Sequence, residues 1–367
     1  MVAAAPANAT TSEQAVAFLN QQRQANSIPA GLQVDAYRTT GCHNHNRYMD
    51  QNGGLQHGEE VGHPGYTAEG ADYTNSGEVL AQGLTDWSAG SNPWDAAPLH
   101  QTLLFDPQVT SAGYDEYKSF ACMRFGFSFT SSGDPAFYAY TGDHGRADVP
   151  FSITVRGEGP YAPQEAVGIP QGVATGPNIL FFTEGFGSKN HAVSYNLLGP
   201  DNHAVDAKLV DSKTPPPNGS SYQAFTTGGD MIAVKPLDPG TTYTANVVWH
   251  NDDSGQEKPQ SVTFRTSLLL RDLMLSLSKK LSKAGRKATL KAPAEAVGEH
   301  ASVRIQLAKK GKSLQVVSTK TVTLKRSQTI KVPKPSKGGR AAVRVTLPSF
   351  VRGNTRYDTP PVSRTYH

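Results

Sequence analysis

The residues best suited to chemistry lie between positions 41 and 117. Cys42, His43 and His45 fall close together, followed by His57, Glu59, Glu60 and His63, then Glu78 and His100. Imidazole and carboxylate groups serve as metal ligands or as acid–base pairs, and a cysteine beside a histidine serves as a nucleophile. The His43-x-His45 spacing would suit a metal pair on a strand. Here it falls on a predicted helix, where residues i and i+2 diverge, so the two are not expected to act as joint ligands. Glu59 and Glu60 read as solvated loop acids. A Cys/His protease would use Cys42 with His57 or His100, but Cys42 more simply pairs with Cys122, the only other cysteine. In an oxidising compartment that bond is unambiguous; two buried thiols are the alternative. Two cysteines alone make neither a zinc ribbon nor an iron–sulfur site. Ser76-Gly77-Glu78 is not a nucleophile elbow, and the chain has no G-x-S-x-G, H-E-x-x-H or P-loop motif. Gly157-Glu158-Gly159-Pro160 reads as a turn.

The wider pattern adds to this. Cys42-His43-Asn44-His45-Asn46-Arg47-Tyr48-Met49 leads to Gly54-Leu55-Gln56-His57-Gly58-Glu59-Glu60. Then come Gly77-Glu78-Val79-Leu80 and a Trp-x4-Leu-His-x2-Leu-Leu-x2-Pro run from Trp94 to Pro107, closed by Gly113. Over residues 11 to about 150 the chain resembles the bacterial branch of the CAP superfamily, the cysteine-rich secretory and pathogenesis-related proteins. Glu78 stands where the family's Gly-Glu-Asn-Leu signature has its glutamate. The resemblance implies an α-β-α sandwich with a central cleft of two histidines and two acids that binds a divalent metal in some members. His57, Glu78 and His100 take three of the four places, and Asp95 and Asp86 are the weaker candidates for the fourth. Two imidazoles and a carboxylate suit zinc with an open position better than calcium. The resemblance further implies a lipid, sterol or protein ligand, and no catalytic residue is assigned. The alternatives are a metal-dependent hydrolase, in which a zinc-bound water at these residues is the nucleophile, and a wall-associated adhesin.

These side chains need elements to hold them. Thr11 and Gln14 have capping-box spacing before an apolar face of Ala15, Phe18 and Leu19, which predicts a helix over 11–25. A second helix is expected from about Gln33 to Asp50, ended by Asn52-Gly53-Gly54. The Gly-rich stretch 57–77 reads as loop, where functional residues tend to sit. A short helix is expected between Asn92 and Phe105, then strands at 119–129 and 136–140. Tyr161-Ala162-Pro163-Gln164 and Ile169-Pro170 look like a linker. Beyond it the pattern is β: Tyr243, Ala245, Val247 and Trp249 alternate with their neighbours at strand period. Leu237 to Tyr243 resembles the tyrosine-corner segment of fibronectin-III and immunoglobulin-like sandwiches. Val303, Ile305 and Leu307 alternate again, before a Lys309-Lys310-Gly311-Lys312 turn.

The expected fold class is therefore α+β: an N-terminal α-β-α sandwich over 11–160, a β-sandwich over 170–267 and a basic β-sandwich over 268–367. Residues 268–367 carry 22 Lys and Arg against 4 Asp and Glu, whereas residues 1–267 carry 13 against 27. A basic module beside an acidic body points to anionic envelope polymers as partners of residues 268–367. Edge lysines that discourage strand aggregation are the structural alternative. Nucleic acid is a weak expectation, because Phe350, Tyr357 and Tyr366 are few aromatics for base stacking. No apolar run reaches transmembrane length. The small residues at Ala5, Ala7 and Ala9 resemble the tail of an export signal, so a secreted or envelope location is expected.

Overall fold

The computed structural model describes residues 10–72, 77–83, 87, 92–128, 135–142, 149–186, 190–217, 220, 225, 228–282, 286–348, 350–358 and 361–366. Ala5, Ala7, Ala9 and Asp86 lie outside them. The chain forms two compact units, residues 1–267 and 268–367.

The first unit begins with two helices. Helix α1 (Ser12–Ala25) starts with a complete capping box: Thr11 Oγ1 accepts from Gln14 N, and Gln14 Oε1 accepts from Thr11 N. Helix α2 (Ala36–Asn52) is capped by Asp35 and stops at Gly53, whose left-handed backbone (φ 79°) favours glycine. Two shorter helices follow, α3 (Ala68–Ala71) and α4 (Pro98–Leu104). The strands are β1 (Gln33–Val34), β2 (Gly77–Gln82), β3 (Val109–Tyr117) and β4 (Phe120–Phe127), in the order β1-β3-β4-β2.

Strands β5 (Ala136–Tyr140), β6 (Asn178–Glu184), β7 (Asn190–Leu198), β8 (Ala204–Val205), β9 (Ala207–Asp211), β10 (Gly229–Ala233), β11 (Thr242–Asn251) and β12 (Glu257–Arg265) make two more sheets. Their orders are β5-β6-β10-β9 and β12-β11-β7-β8. Ile179, Phe181, Met231, Tyr243, Val247 and Trp249 share one buried core. Asp238 N donates to Tyr243 Oη at 2.9 Å, tying the Leu237–Tyr243 turn to the strand that follows.

The expected N-terminal α-β-α sandwich is not supported. Strands hold 42% of the structure and helices 17%, in small sheets. The core that contains Ala15, Leu19, Val79, Met123 and Phe125 runs on into Tyr140, Leu180, Phe182, Val210 and Ile232 of the β5–β10 sheet. A closed sandwich of its own would end at the helices; here one face of the first sheet shares its core with the second. Strand β5, read as the tail of the first domain, pairs with β6. The expected linker is also revised. Tyr161, Ala162, Pro163 and Gln164 are buried, and Pro163–Val167 is a 3-10 turn whose Ala166 and Val167 pack on that core. The Pro-rich composition signals the turn but not its burial.

The second unit is all strand apart from one 3-10 turn, among the described residues. Strands β13 (Leu269–Asp272), β14 (Ser276–Leu277), β15 (Lys287–Lys291), β16 (His300–Ala308), β17 (Gln315–Thr323), β18 (Ser327–Lys331), β19 (Arg340–Thr346), β20 (Phe350–Arg352), β21 (Thr355–Asp358) and β22 (Val362–Tyr366) form sheets β13-β21-β20, β14-β15-β18 and β17-β16-β19-β22. Val303, Ile305, Val343 and Val345 point into their core, and the intervening Arg304 and Arg344 are exposed.

Candidate functional site

Helix α2 approaches the first sheet closely because two glycines allow it. A Cβ on Gly113 of β3 would lie 2.2 Å from Thr39 N, and one on Gly41 of α2 would lie 2.5 Å from Arg124 Nη1. The helix is bonded to the sheet by the Cys42–Cys122 disulfide, with a Cα–Cα distance of 5.3 Å. Cross-strand register places Glu78 opposite Arg124 and Leu80 opposite Cys122, so Glu78 and Arg124 meet where helix and sheet pack.

Arg124 is buried and committed throughout. Its Nε donates to Glu78 Oε2 at 2.6 Å, Nη1 to Glu69 O at 2.7 Å and Nη2 to Gly70 O at 2.6 Å. The guanidinium thus also holds carbonyls of α3. Glu78 Oε1 faces His57 Nδ1 at 2.9 Å. Burial works to raise the Glu78 carboxyl, but the His57 hydrogen bond and the Arg124 and His45 charges outweigh it and hold the pKa below the ordinary 4.5.

His57 is half-exposed on the loop after α2, with Glu78 sealed behind it. His45 is wholly buried: Nδ1 lies 2.9 Å from Glu59 Oε1 and Nε2 lies 2.7 Å from Gln56 O. This pair fixes the loop that carries His57. Glu59, read as a solvated acid, is therefore corrected: its side chain is fully buried, and Oε2 accepts from Thr67 N at 3.0 Å. A loop position in a Gly-rich stretch gave no hint of that burial. Glu60 remains exposed, beside His63. His43 turns instead to Asp115, so His43 and His45 serve different partners.

His100 sits on α4, with Nδ1 3.2 Å from Glu158 Oε1. The same oxygen accepts from Leu99 N at 2.6 Å and His100 N at 3.2 Å. Burial pushes the Glu158 carboxyl up, and the hydrogen bonds and charge of His100 oppose the rise. Sequence reasoning missed Glu158. An acid between glycines in a turn looks solvated, and no spacing ties position 158 to position 100. Arg124 was missed too, because its period-2 strand position gives no sign of a buried charge.

His57 and His100 line one cleft of about 650 Å³ at the β2 edge of the first sheet. Its wall includes apolar Leu55, Leu80, Pro93, Trp94, Ala97 and Pro160, and polar Arg156 and Glu158. Glu78 reaches it only through His57. Arg156 is exposed there. Asp95 is not on the cleft wall: its Oδ1 accepts from Asn92 N at 3.0 Å, closing the turn before α4. Among the described residues no three His, Cys, Asp or Glu side chains form a metal-holding group. Glu78 is paired with Arg124, and His57 and His100 each turn Nδ1 to a different carboxylate.

No family model matches the chain, and no curated protein matches it. Among solved structures it resembles a DUF4785 family protein from Legionella pneumophila, at 11% identity over 64% of this chain and 56% of that one, with a TM-score of 0.25. The chain therefore spans little more than half the length of that protein. Chicken CNTN1 FN1-FN3 domains give 12% identity over 51% and 59% with a TM-score of 0.17. A cytokine receptor complex gives 13% over 51% and 89% with a TM-score of 0.20. These likenesses fall short of a shared fold, and the functional reading rests on the site. Among the described residues no helix is long and apolar enough to cross a membrane.

Proposed function

We propose that the chain is an exported binding protein whose first unit holds an amphipathic small molecule in the His57–His100 cleft. The observation that carries this is the cleft itself: an apolar wall with Arg156, His57, His100 and Glu158 converging on one opening of about 650 Å³. That combination of size and lining is typical of ligand sites. Arg156 gives the opening a cation for an acidic headgroup. The apolar wall suits a hydrocarbon or sterol body. The Cys42–Cys122 bond supports an oxidising compartment and hence export. The hydrolase reading gains no comparable support, since Glu78 is already paired with Arg124 and His57, and His100 turns to Glu158 instead.

A fluorescent polyene fatty acid titrated into the full chain tests this. Saturable 1:1 binding is expected, weakened about tenfold by Arg156→Ala, a change of about 1.4 kcal/mol. Ala97→Trp, which fills the cleft, should abolish it. Binding that ignores both substitutions, or no saturable binding, overturns the reading.

A second reading is favoured by charge. Residues 268–367 attach the protein to anionic envelope polymers, because their 22 basic residues face only 4 acids.

A further inference from the structure

Two hollows adjoin at one end of the second unit. The first, of about 510 Å³, has Leu307, Ala308 and Pro335 in its wall, with Gln315 and Ser336. The second, of about 530 Å³, has Gly311, Gly338 and Arg340. Lys309, Lys312 and Ser313 line both, so the two are halves of one depression, apolar on one side and basic on the other.

The sheet explains where it forms. Strand β16 ends at Ala308, which pairs with Arg340, the first residue of β19. Beyond that pair come the β16–β17 turn and the loop into β19. Lys312 N donates to Lys309 O at 3.1 Å in the turn, and Gly339 N to Ser336 O at 2.8 Å in the loop. Glycine keeps the loop close: a Cβ on Gly339 would lie 2.3 Å from Ala308 O, and one on Gly338 would lie 3.3 Å from Lys310 Cδ. Both segments are basic, with Lys309, Lys310 and Lys312 in the turn and Lys334, Lys337 and Arg340 around the loop. No described carboxylate lines either hollow. Among the described residues, the ion pair of this unit joins Arg352 to Glu299, beside the opposite end of β16. Edge protection does not account for the cluster. Strand β17 is the sheet edge, and these cations lie beyond its end, where there is no open ladder to block.

A ligand that fits must be divided in the same way. Lysine stems cover apolar surface while their ammonium heads reach an anion. Two lysines supply point charges and Arg340 a planar fork, the combination that holds phosphate oxygens. A chain of phosphates alone would leave Leu307 and Pro335 wet, and a neutral lipid would leave three cations without a counter-charge. Each hollow falls in the size range of small-molecule sites.

We propose that this depression binds one phosphate-headed lipid, its headgroup on Lys309, Lys312 and Arg340 and its hydrocarbon on Leu307, Ala308 and Pro335. The proposal rests on the charge-based attachment reading above and narrows it to one ligand class.

The test titrates a monomeric, short-chain phosphatidylglycerol into the full chain by calorimetry. The chain carries Ala97→Trp, so that binding in the cleft of the first unit is not counted; should that variant fail to fold, the same comparisons are made in the unsubstituted chain. One lipid per chain is expected. Phosphatidylcholine of equal chain length, which has no net charge, and glycerol 3-phosphate, which has no hydrocarbon, should each bind at least tenfold more weakly. Ser336 and Gln315 are exposed, and Ser336→Trp or Gln315→Trp fills the apolar half. Each should weaken the lipid at least tenfold and leave retention on polyglycerol phosphate at about 50 mM salt unchanged. Arg340→Gln should weaken both ligands. No saturable binding up to about 1 mM lipid overturns the proposal. So does glycerol 3-phosphate binding as tightly as the lipid, or lipid binding that ignores both tryptophan substitutions. If polyglycerol phosphate is still retained in those cases, the attachment reading stands without the lipid site; if neither ligand is held, both fall.

Discussion

At the scale of single residues, the Glu78–Arg124 pair ties β2, β4 and α3 together behind His57. Arg124 is buried with its donors spent on Glu78 and on two α3 carbonyls. Arg124→Met would leave a sealed carboxylate without its cation and strand those carbonyls, at a cost of about 3–5 kcal/mol. Urea unfolding checks it, and pairing the change with Glu78→Leu should recover part of the loss. The same pair sets a pH dependence. The Glu78 carboxyl is held below its ordinary value in the folded chain, so its contribution is present above about pH 4.5 and fades as pH falls through the folded pKa. Glu78→Gln should flatten that acid limb, and an unchanged limb would show that other carboxylates dominate it. None of this was legible in the sequence. The family resemblance points to His57, Glu78 and His100, but Arg124, Glu59 and Glu158 matter through burial. A polar side chain on a strand or in a Gly-rich loop carries no local mark of being inside.

Elements were read more successfully than their assembly. Thr11 and Gln14 announce the start of α1 through a reciprocal cap that depends on only four residues, and Gly53 announces the end of α2 through its backbone freedom. The alternation from Tyr243 to Trp249 marks β11 because one face of that strand is buried. What period cannot convey is which elements share a core, and there the expectation of a self-contained first domain failed. Leu180 and Ile232 look like residues of a later sandwich, yet they pack with Leu19 and Met123. The approach of α2 to β3 is similarly invisible until the two are docked. Gly113→Ala would drive a Cβ to 2.2 Å from Thr39 N, a backbone atom that cannot swing aside. It should cost about 1–3 kcal/mol, whereas Gly54→Ala, with nothing within 4 Å, should stay within about 0.5 kcal/mol. Matched melting curves of the two variants separate a packing effect from a general penalty for replacing glycine.

For the whole molecule, the formal net charge of +4 conceals the property most relevant to a partner. Averaged over the chain, such a value predicts indifferent behaviour toward polyanions. The basic residues are concentrated beyond residue 267, however, and Lys309, Lys312 and Arg340 line a single concave surface beside the β16–β17 turn. A polyanion meets a local field rather than the mean, and at physiological salt that field decays over about 8 Å. The intact chain should therefore adsorb to an anionic polymer such as a polyglycerol phosphate at about 50 mM salt and release by about 0.5 M, where screening shortens the reach to a few ångströms. Replacing Lys309, Lys312 and Arg340 together with glutamate reverses the sign of that surface without touching the core of either unit. It should lower retention at least tenfold at low salt, while Lys208→Glu on the acidic unit leaves retention unchanged. Equal losses from both changes would mean that net charge alone drives adsorption, and the second unit would then be a spacer with soluble edges rather than an attachment module.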